Sequence, residues 1–137
     1  MSYDKHIRYL KSAEAVSKFS DFKPYKIGCI LICKKQILSV GHNTNKSHPI
    51  QKEYNSFREL YGENINHKAH AEINCIVKVI KLDVDLSNCI LYIFRQHKDK
   101  TWAMARPCPG CMRFIQDQGI KTIIFTNNNN NYSIEYL

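Results

Sequence analysis

The sequence lacks any long apolar run, since its longest uncharged stretch of apolar residues is the seven-residue segment Ile27–Cys33. A transmembrane helix needs about 20 such residues, so the sequence predicts no membrane span and no membrane partner. The first residues also lack the apolar segment of a secretory signal. We therefore expect a protein of the cytoplasm.

Acidic side chains are scarce compared with basic ones. Twelve Asp and Glu residues against 20 Lys and Arg give a formal net charge of +8. This charge favours an anionic partner, either a nucleotide phosphate or a nucleic acid, although a solvated basic surface has the same composition. Residues 1–68 carry 12 basic and 6 acidic side chains and residues 69–137 carry 8 and 6, so no concentrated basic stripe is apparent.

The length of 137 residues fits one domain over 1–137, with an Asn-rich C-terminal tail from about residue 127. Apolar periodicity predicts an α/β fold in which the first two strands form a hairpin and later strands run parallel. We expect a mixed sheet of four to five strands flanked by helices. The predicted helices span 4–19, 69–82 and 107–118, with a shorter one between 51 and 60. The predicted strands span 27–33, 36–40, 89–94 and 121–126, and 132–137 forms either an edge strand or a disordered tail.

The six cysteines divide into two groups. Because a reducing compartment disfavours disulfides, we expect buried core thiols at Cys29, Cys33, Cys75 and Cys89. Cys108 and Cys111 differ, because a spacing of three residues at the start of a helix places both sulfur atoms on one side. A C-x-x-C motif alone also fits a redox or a core role.

Two motifs at predicted helix starts indicate metal chemistry, His70-Ala71-Glu72 and Pro107-Cys108-Pro109-Gly110-Cys111. Helix N-termini favour thiolate over thiol. Two thiolates and one imidazole form a ligand set that suits Zn²⁺ and leaves a fourth position for water, as in catalytic sites. Glu72 lies two residues beyond His70, from where its carboxylate can take a proton from that water.

Taken together in this order, H-x-E and P-C-x-x-C match the signature of the zinc deaminases. Over roughly residues 4–126 the sequence resembles the cytidine deaminase-like superfamily, most closely the deoxycytidylate (dCMP) deaminases of short phage type. Three segments carry the resemblance: His70-Ala-Glu-Ile-Asn74, Gly41-His42-Asn43, and Arg106-Pro-Cys-Pro-Gly-Cys111 with the strand that follows it.

The resemblance implies a three-layer αβα fold and a Zn²⁺ ion held by His70, Cys108 and Cys111. It implies that zinc-bound hydroxide attacks a cytosine base with Glu72 as the proton shuttle, most simply converting dCMP to dUMP and ammonia. A phage enzyme of this kind would work in the cytoplasm of its host, and related enzymes suggest a homo-oligomer. The substrate-binding residues that it suggests are Asn43, Ala71, Arg106 and Pro107, followed by His42, Asn74 and Trp102.

Several of these residues have structural alternatives. Asn43 contacts the sugar or supports a left-handed turn, and Asn74 either contacts the substrate or makes a supporting hydrogen bond. Arg106 offers its carbonyl to the substrate amino group, while its side chain meets a phosphate or forms a surface salt bridge. Trp102 stacks on a base or anchors its loop on the core.

Two other functions fit the same motifs. One is a cytosine or adenosine deaminase acting on tRNA or single-stranded DNA, which needs an open basic groove and a stacking aromatic residue. The other is a non-enzymatic, zinc-stabilised binding module, in which a fourth protein ligand would close the metal site. The even spread of charge favours the free nucleotide.

Overall fold

The structure, a computed structural model, describes residues 2–56 and 68–137, with side chains from residue 5 onward. Its elements follow the order expected for the fold. The helices are α1 Ser2–Ser17, α2 Pro49–Tyr54, α3 Ala71–Val77 and α4 Pro109–Asp117, with a 3₁₀ turn at Leu86–Asn88. The strands are β1 Ile27–Cys33, β2 Gln36–His42, β3 Cys89–Arg95, β4 Thr122–Asn127 and β5 Asn131–Tyr136.

These strands form a five-stranded mixed sheet in the order β2-β1-β3-β4-β5. The predicted β1–β2 hairpin and the predicted parallel β3–β4 pair are both confirmed. β5 pairs antiparallel with β4, so the C-terminal segment is an edge strand rather than a tail. Asn129 and Asn130 adopt positive φ in the turn between them, a conformation that asparagine tolerates better than most residues.

Alternate residues of the central strands face two different layers of helices. Leu10 and Ala13 of α1 pack against Ile30, Tyr92 and Phe94 on one face of the sheet. On the other face α3 and α4 cover a larger core, whose fully buried members include Leu31, Leu91, Ile73, Phe114 and Ile123. The arrangement is the predicted three-layer αβα fold.

Some helix boundaries differ from those predicted. α1 runs from Ser2 to Ser17, so it begins and ends two residues before the predicted helix over 4–19. The predicted helix over 69–82 is shorter, Ala71–Val77, and the chain continues in turns. Ile80 and Leu82 are 40% and 51% exposed. Packing supplies most of the stability of a short helix, and these two side chains lie largely outside the core.

The prediction of four core thiols is correct for Cys29 and Cys75, which are buried and free. It is wrong for Cys33 and Cys89, which form a disulfide. The physical reason is strand register: the two residues face each other directly at the ends of β1 and β3, with Cα atoms 4.5 Å apart. That separation lies within the range that a disulfide spans.

In residues 2–56 and 68–137 no helix has the length and apolar character to cross a membrane.

Candidate functional site

Three potential metal ligands meet where α3 and α4 begin. His70 Nδ1 lies 3.2 Å from Cys111 Sγ and 3.6 Å from Cys108 Sγ. All the ligand atoms of this group lie within 4.8 Å of one another. Tetrahedral zinc with bonds of about 2.0–2.3 Å separates its ligands by similar distances, so the donor set and its spacing fit Zn²⁺. Within the two described ranges, the group contains no fourth His, Cys, Asp or Glu.

The start of α4 brings its two sulfur atoms together. Cys108 is the N-cap, with extended backbone, and its Sγ accepts a hydrogen bond from the backbone N–H of Cys111 at 3.5 Å. Pro109 occupies the first turn, where a missing N–H costs no intrahelical bond. Both sulfur atoms therefore lie at the positive end of the helix dipole, which stabilises a thiolate.

His70 is held in place by a residue that the sequence did not indicate. Its backbone N–H donates to Gln51 Oε1 at 3.0 Å, and Gln51 Nε2 donates to Asn55 Oδ1 at 2.9 Å. Gln51 and Asn55 are fully buried. α2 thus positions the imidazole through the main chain, because His70 is the N-cap of α3.

The pKa values of the two thiols are shifted in opposite directions. Hydrogen bonding to the side chains of Cys111 and His70 lowers the pKa of Cys108 to about 4 despite its burial. The same bond to Cys108, together with complete burial, raises the pKa of Cys111 well above its usual range. A thiolate therefore forms first at Cys108, as metal binding requires.

Glu72 is a buried carboxyl group in the first turn of α3. Burial raises its pKa to about 7, although the neighbouring His70 works in the opposite direction. Its Oε1 is inaccessible to solvent and has no hydrogen-bond partner among the described residues. A buried polar atom without a partner costs free energy, and such atoms occur where a ligand or a reacting group completes the site.

Glu72 lines a cavity of about 170 Å³ together with His70 and Cys108. Its lining includes two arginines and one exposed methionine. Its remaining lining residues are Tyr25, Ile27, Asn43, Arg95, Met104, Ala105 and Arg106. The candidate metal ligands and the buried carboxyl group therefore share one pocket with room for a small molecule.

Asn43 lines this pocket, but its side chain is engaged with the backbone. Asn43 Oδ1 accepts from the Ile27 N–H at 2.9 Å and its Nδ2 donates to the Tyr25 carbonyl at 3.0 Å. Asn43 does not adopt positive φ, so the left-handed-turn alternative is wrong. Its amide ties the segment before β1 to the end of β2, and a contact with the sugar stays a prediction.

Asn74 and His42 are not among the described residues that line this pocket. Asn74 Nδ2 donates to the His42 carbonyl at 2.7 Å, which links α3 to β2 as a supporting hydrogen bond. His42 Nδ1 lies 3.0 Å from the Asn43 carbonyl oxygen, and both His42 and Asn74 line a separate surface cavity.

Arg106 lines the pocket, and its side chain forms a salt bridge with β5. Arg106 Nε and Nη2 donate to Glu135 at 2.6 and 3.0 Å. These bonds raise the pKa of Arg106 and lower that of Glu135. The side chain follows the salt-bridge alternative, and the role of its carbonyl stays a prediction.

Three further predicted contact residues do not line the pocket. Ala71, the first residue of α3, is fully buried in the core, and Pro107 is buried directly before Cys108. Trp102 packs edge to face against Phe94, with ring centroids 5.9 Å apart, on the α1 side of the sheet. Its position corresponds to the loop-anchor alternative, and any contact of Ala71 or Pro107 with substrate stays a prediction.

Tyr25 and Arg95 belong to the pocket although the sequence did not single them out. Arg95 ends β3, and its guanidinium lies 4.8 Å from the centre of the Tyr25 ring. Arg95 Nε is buried and has no hydrogen-bond partner within the part of the chain that the structure describes. A cationic residue at the end of a buried strand was the one signal available in the sequence.

A family model described as the cytidine and deoxycytidylate deaminase zinc-binding region matches residues 3–127. Among solved structures, the chain is similar to apo dCMP deaminase from the cyanophage S-TIM5, with 25% identity and a TM-score of 0.64 over 95% of this chain and 88% of that one. The same cyanophage enzyme in complex with dCMP and dUMP aligns at 24% identity and a TM-score of 0.61, over 90% and 81% of the two chains.

Cytidine deaminase from Burkholderia pseudomallei aligns at 14% identity and a TM-score of 0.64, covering 96% of this chain and 91% of that one. At such identity the likeness concerns the fold alone. A search of curated protein sequences found no significant match.

Proposed function

Because the chain belongs to the cytidine and deoxycytidylate deaminase family, we propose that it is a hydrolytic deaminase that converts dCMP and water to dUMP and ammonia. The family match confirms the resemblance found in the sequence, and with it zinc as the cofactor, for which His70, Cys108 and Cys111 form the candidate site. The choice of dCMP is supported by the likeness to the cyanophage dCMP deaminase.

The observation that carries the proposal is the position of Glu72. Its carboxyl group is buried, has one oxygen without a partner in the described structure, and faces the same small cavity as His70 and Cys108. A purely structural zinc site would have a fourth protein ligand. A carboxyl group beside three ligands, with one oxygen that no described residue bonds, is instead what a reaction involving proton transfer needs.

In the proposed mechanism each residue has a defined task. His70, Cys108 and Cys111 would hold the zinc, which when bound would supply Lewis acidity that lowers the pKa of water to about 7. Glu72 accepts one proton of the attacking water and delivers it to the ring nitrogen while the water oxygen bonds to the amino-bearing carbon. It then carries the second proton, from the resulting hydroxyl group, to the amino group, so that the C–N bond breaks, ammonia leaves and the carboxylate is restored. Burial favours the protonated form of Glu72 and so raises its pKa above the usual range, which suits a group that both accepts and donates protons.

The walls of the pocket position the base for this reaction. Ile27, Ala105 and the aromatic ring of Tyr25 contribute apolar surface near the candidate metal centre. Asn43 fixes the Tyr25–Ile27 backbone through the two hydrogen bonds of its amide. Orientation of the reactants by such fixed groups lowers the barrier by removing motions that the transition state would otherwise have to lose.

The decisive variant is Glu72→Gln, which keeps the shape of the side chain and removes its proton transfer. We expect about one zinc per chain in both wild type and variant, and a fall in the rate of dCMP deamination of about 10²–10⁴-fold. Zinc is measured by atomic emission and deamination by ammonia release. The matched control is Glu53→Gln, an exposed glutamate on α2, which should leave both quantities unchanged.

A substrate panel of deoxycytidine, dCMP, a cytosine-containing single-stranded DNA and tRNA tests the reaction itself. Full activity of Glu72→Gln would contradict the assigned mechanism. Deamination of polynucleotides alone would contradict the assignment to a free nucleotide.

A further inference from the structure

A second cavity, of about 410 Å³, adjoins the first and shares Tyr25 and Arg95 with it. The wall of this second cavity, here called the basic cavity, carries cationic side chains from three segments that are distant in the sequence. They are Lys18 after α1, Lys23 and Lys26 before β1, and Arg95, Lys98 and Lys100 at and beyond the end of β3. The fold thus concentrates a charge that looks evenly spread along the sequence.

No acidic side chain lines the basic cavity in the structure as described. The nearest acidic residue along the chain, Asp99, is engaged within its own loop. Its Oδ1 accepts from the Thr101 N–H at 2.9 Å and from the Thr101 hydroxyl at 2.6 Å, and these bonds lower the pKa of Asp99. Six positive side chains are therefore gathered around one cavity without a carboxylate in its wall.

The loop that presents Lys98 and Lys100 has a defined shape. His97 N donates to the Thr101 carbonyl at 2.8 Å, and Lys100 N donates to the His97 carbonyl at 2.9 Å. At the base of the loop, Gln96 pairs with Trp102 across a β-bridge. Fixed backbone geometry lowers the entropy lost when a ligand orders these residues.

Arg95 connects the two cavities. Its guanidinium stacks on Tyr25, and its buried Nε has no hydrogen-bond partner among the residues described. In the wall of the pocket that Glu72 lines, here called the catalytic pocket, Arg106 is neutralised by its bidentate salt bridge with Glu135. Of the two arginines that line the catalytic pocket, the one without a salt bridge among the described residues, Arg95, is therefore the one that also lines the basic cavity.

We propose that the basic cavity binds the phosphate chain of a nucleoside triphosphate whose base occupies the catalytic pocket, so that the enzyme accepts dCTP in addition to dCMP and binds the triphosphate more tightly. This inference rests on the proposed deaminase function and extends its substrate class. A single terminal phosphate carries a charge of about −2 and a triphosphate about −4, and six cations match the larger charge. A single strand of nucleic acid would need the basic surface to continue beyond the pocket, where Arg106 is already paired.

Lysine and arginine side chains neutralise the phosphate chain in this arrangement. Mg²⁺ is bound in proteins through carboxylates together with substrate phosphates, and the wall of the basic cavity offers no carboxylate. The metal-free nucleotide is therefore the expected ligand, and added Mg²⁺ should weaken rather than strengthen its binding.

The test measures the binding of the deaminated reaction products, because these are not converted further while their affinity is measured. Calorimetry on the zinc-loaded protein would measure dUMP and dUTP without Mg²⁺, and we expect dUTP to bind at least about tenfold more tightly. In Lys98→Gln/Lys100→Gln this advantage should fall by about tenfold, while dUMP binding stays within about threefold. The matched control, Lys34→Gln/Lys35→Gln, removes the same charge from the exposed β1–β2 turn at the opposite end of β1 and should keep the advantage.

Activity separates the two proposals. The ratio of kcat/KM for dCTP to that for dCMP should fall in the Lys98/Lys100 variant and not in the control. Equal binding of dUMP and dUTP, or equal loss of both in the variant, would overturn the triphosphate assignment while dCMP deamination still stood. A single-stranded oligonucleotide that competes better than dUTP and loses this ability in the variant would also overturn it. Tight dUTP binding without deamination of any cytosine nucleotide would instead contradict the proposed function.

Discussion

Gln51 supports the candidate metal centre without being one of its ligands. Its amide accepts from the His70 backbone N–H and donates to Asn55, and neither Gln51 nor Asn55 is exposed. A buried amide that loses its partners costs about 1–3 kcal/mol. Residues that orient metal ligands also affect metal affinity, typically by about 10–100-fold.

We therefore expect Gln51→Met, which keeps the volume of the side chain, to bind zinc about 10–100-fold more weakly and to lower the free energy of unfolding by about 1–3 kcal/mol. Competition with a chromophoric chelator measures the affinity, and urea unfolding measures the stability. Lys52→Gln, on the exposed side of the same helix, serves as the control. Unchanged zinc affinity in Gln51→Met would show that α2 does not position His70.

The candidate ligands could be predicted from the sequence, whereas the residues that surround them could not. The difference is that the ligands lie in short motifs, while the surrounding contacts join residues far apart in the sequence. His70 and Glu72 share one short motif, and Cys108 and Cys111 share another, so local spacing is sufficient to identify them. Gln51 reaches His70 across 19 positions, and Arg95 meets Tyr25 across 70. Such pairs depend on how the elements pack, which no local pattern specifies.

At the scale of elements, α3 lies against the edge of the sheet because Gly41 has no side chain. A Cβ built at Gly41 would come within 2.8 Å of the Ala71 carbonyl oxygen and 2.7 Å of the Cys75 Cα, both of which are backbone atoms of α3. Ser39 adds a hydrogen bond from its hydroxyl to the Cys75 carbonyl at 2.8 Å. The close approach places the start of α3, with His70 and Glu72, at the pocket.

Gly41→Ala should therefore displace α3 and affect both stability and activity. We expect a loss of about 1–3 kcal/mol in the free energy of unfolding and about a 100-fold fall in activity, because small displacements of catalytic groups are costly. Gly119→Ala is the matched control: Gly119 has φ +86 with open space around it, so the variant should lose about 1 kcal/mol and keep its activity. Equal loss of activity in both variants would contradict this account.

The elements were predictable where apolar periodicity and burial coincide. β1 is buried at every central position and was found with its observed bounds, Ile27–Cys33. The end of α3 was placed too late, because Ile80 continues the apolar pattern although it is 40% exposed. β5 could not be decided from the sequence, since its strand conformation depends on pairing with β4.

At the scale of the whole molecule, folding concentrates part of the net positive charge at one place on the protein. The excess of basic residues looks dispersed along the sequence, but the α1–β1 connection and the loop after β3 bring six cations to one cavity. The charge therefore acts locally, beside the catalytic pocket. Basic residues that are evenly spread along a sequence can therefore still form one anion-binding site in the folded protein.

The disulfide between Cys33 and Cys89 joins two strands that are distant in sequence. It connects β1 to β3, two neighbouring interior strands of the sheet, across a sequence separation of 56 residues. A crosslink that closes a loop of this length restricts the unfolded chain and, in the chain-entropy treatment, stabilises the native state by about 4 kcal/mol. Its contribution should appear in the global unfolding of the domain.

We expect the oxidised, zinc-free and denatured protein to show the four thiols of Cys29, Cys75, Cys108 and Cys111 in a colorimetric thiol assay. A phosphine reductant should lower the free energy of urea unfolding by up to about 4 kcal/mol. Cys33→Ala/Cys89→Ala is the control, because its unfolding should be the same with and without the reductant. Six reactive thiols in the untreated wild type, or an equal response of wild type and control, would show that the strands are held by pairing and packing alone.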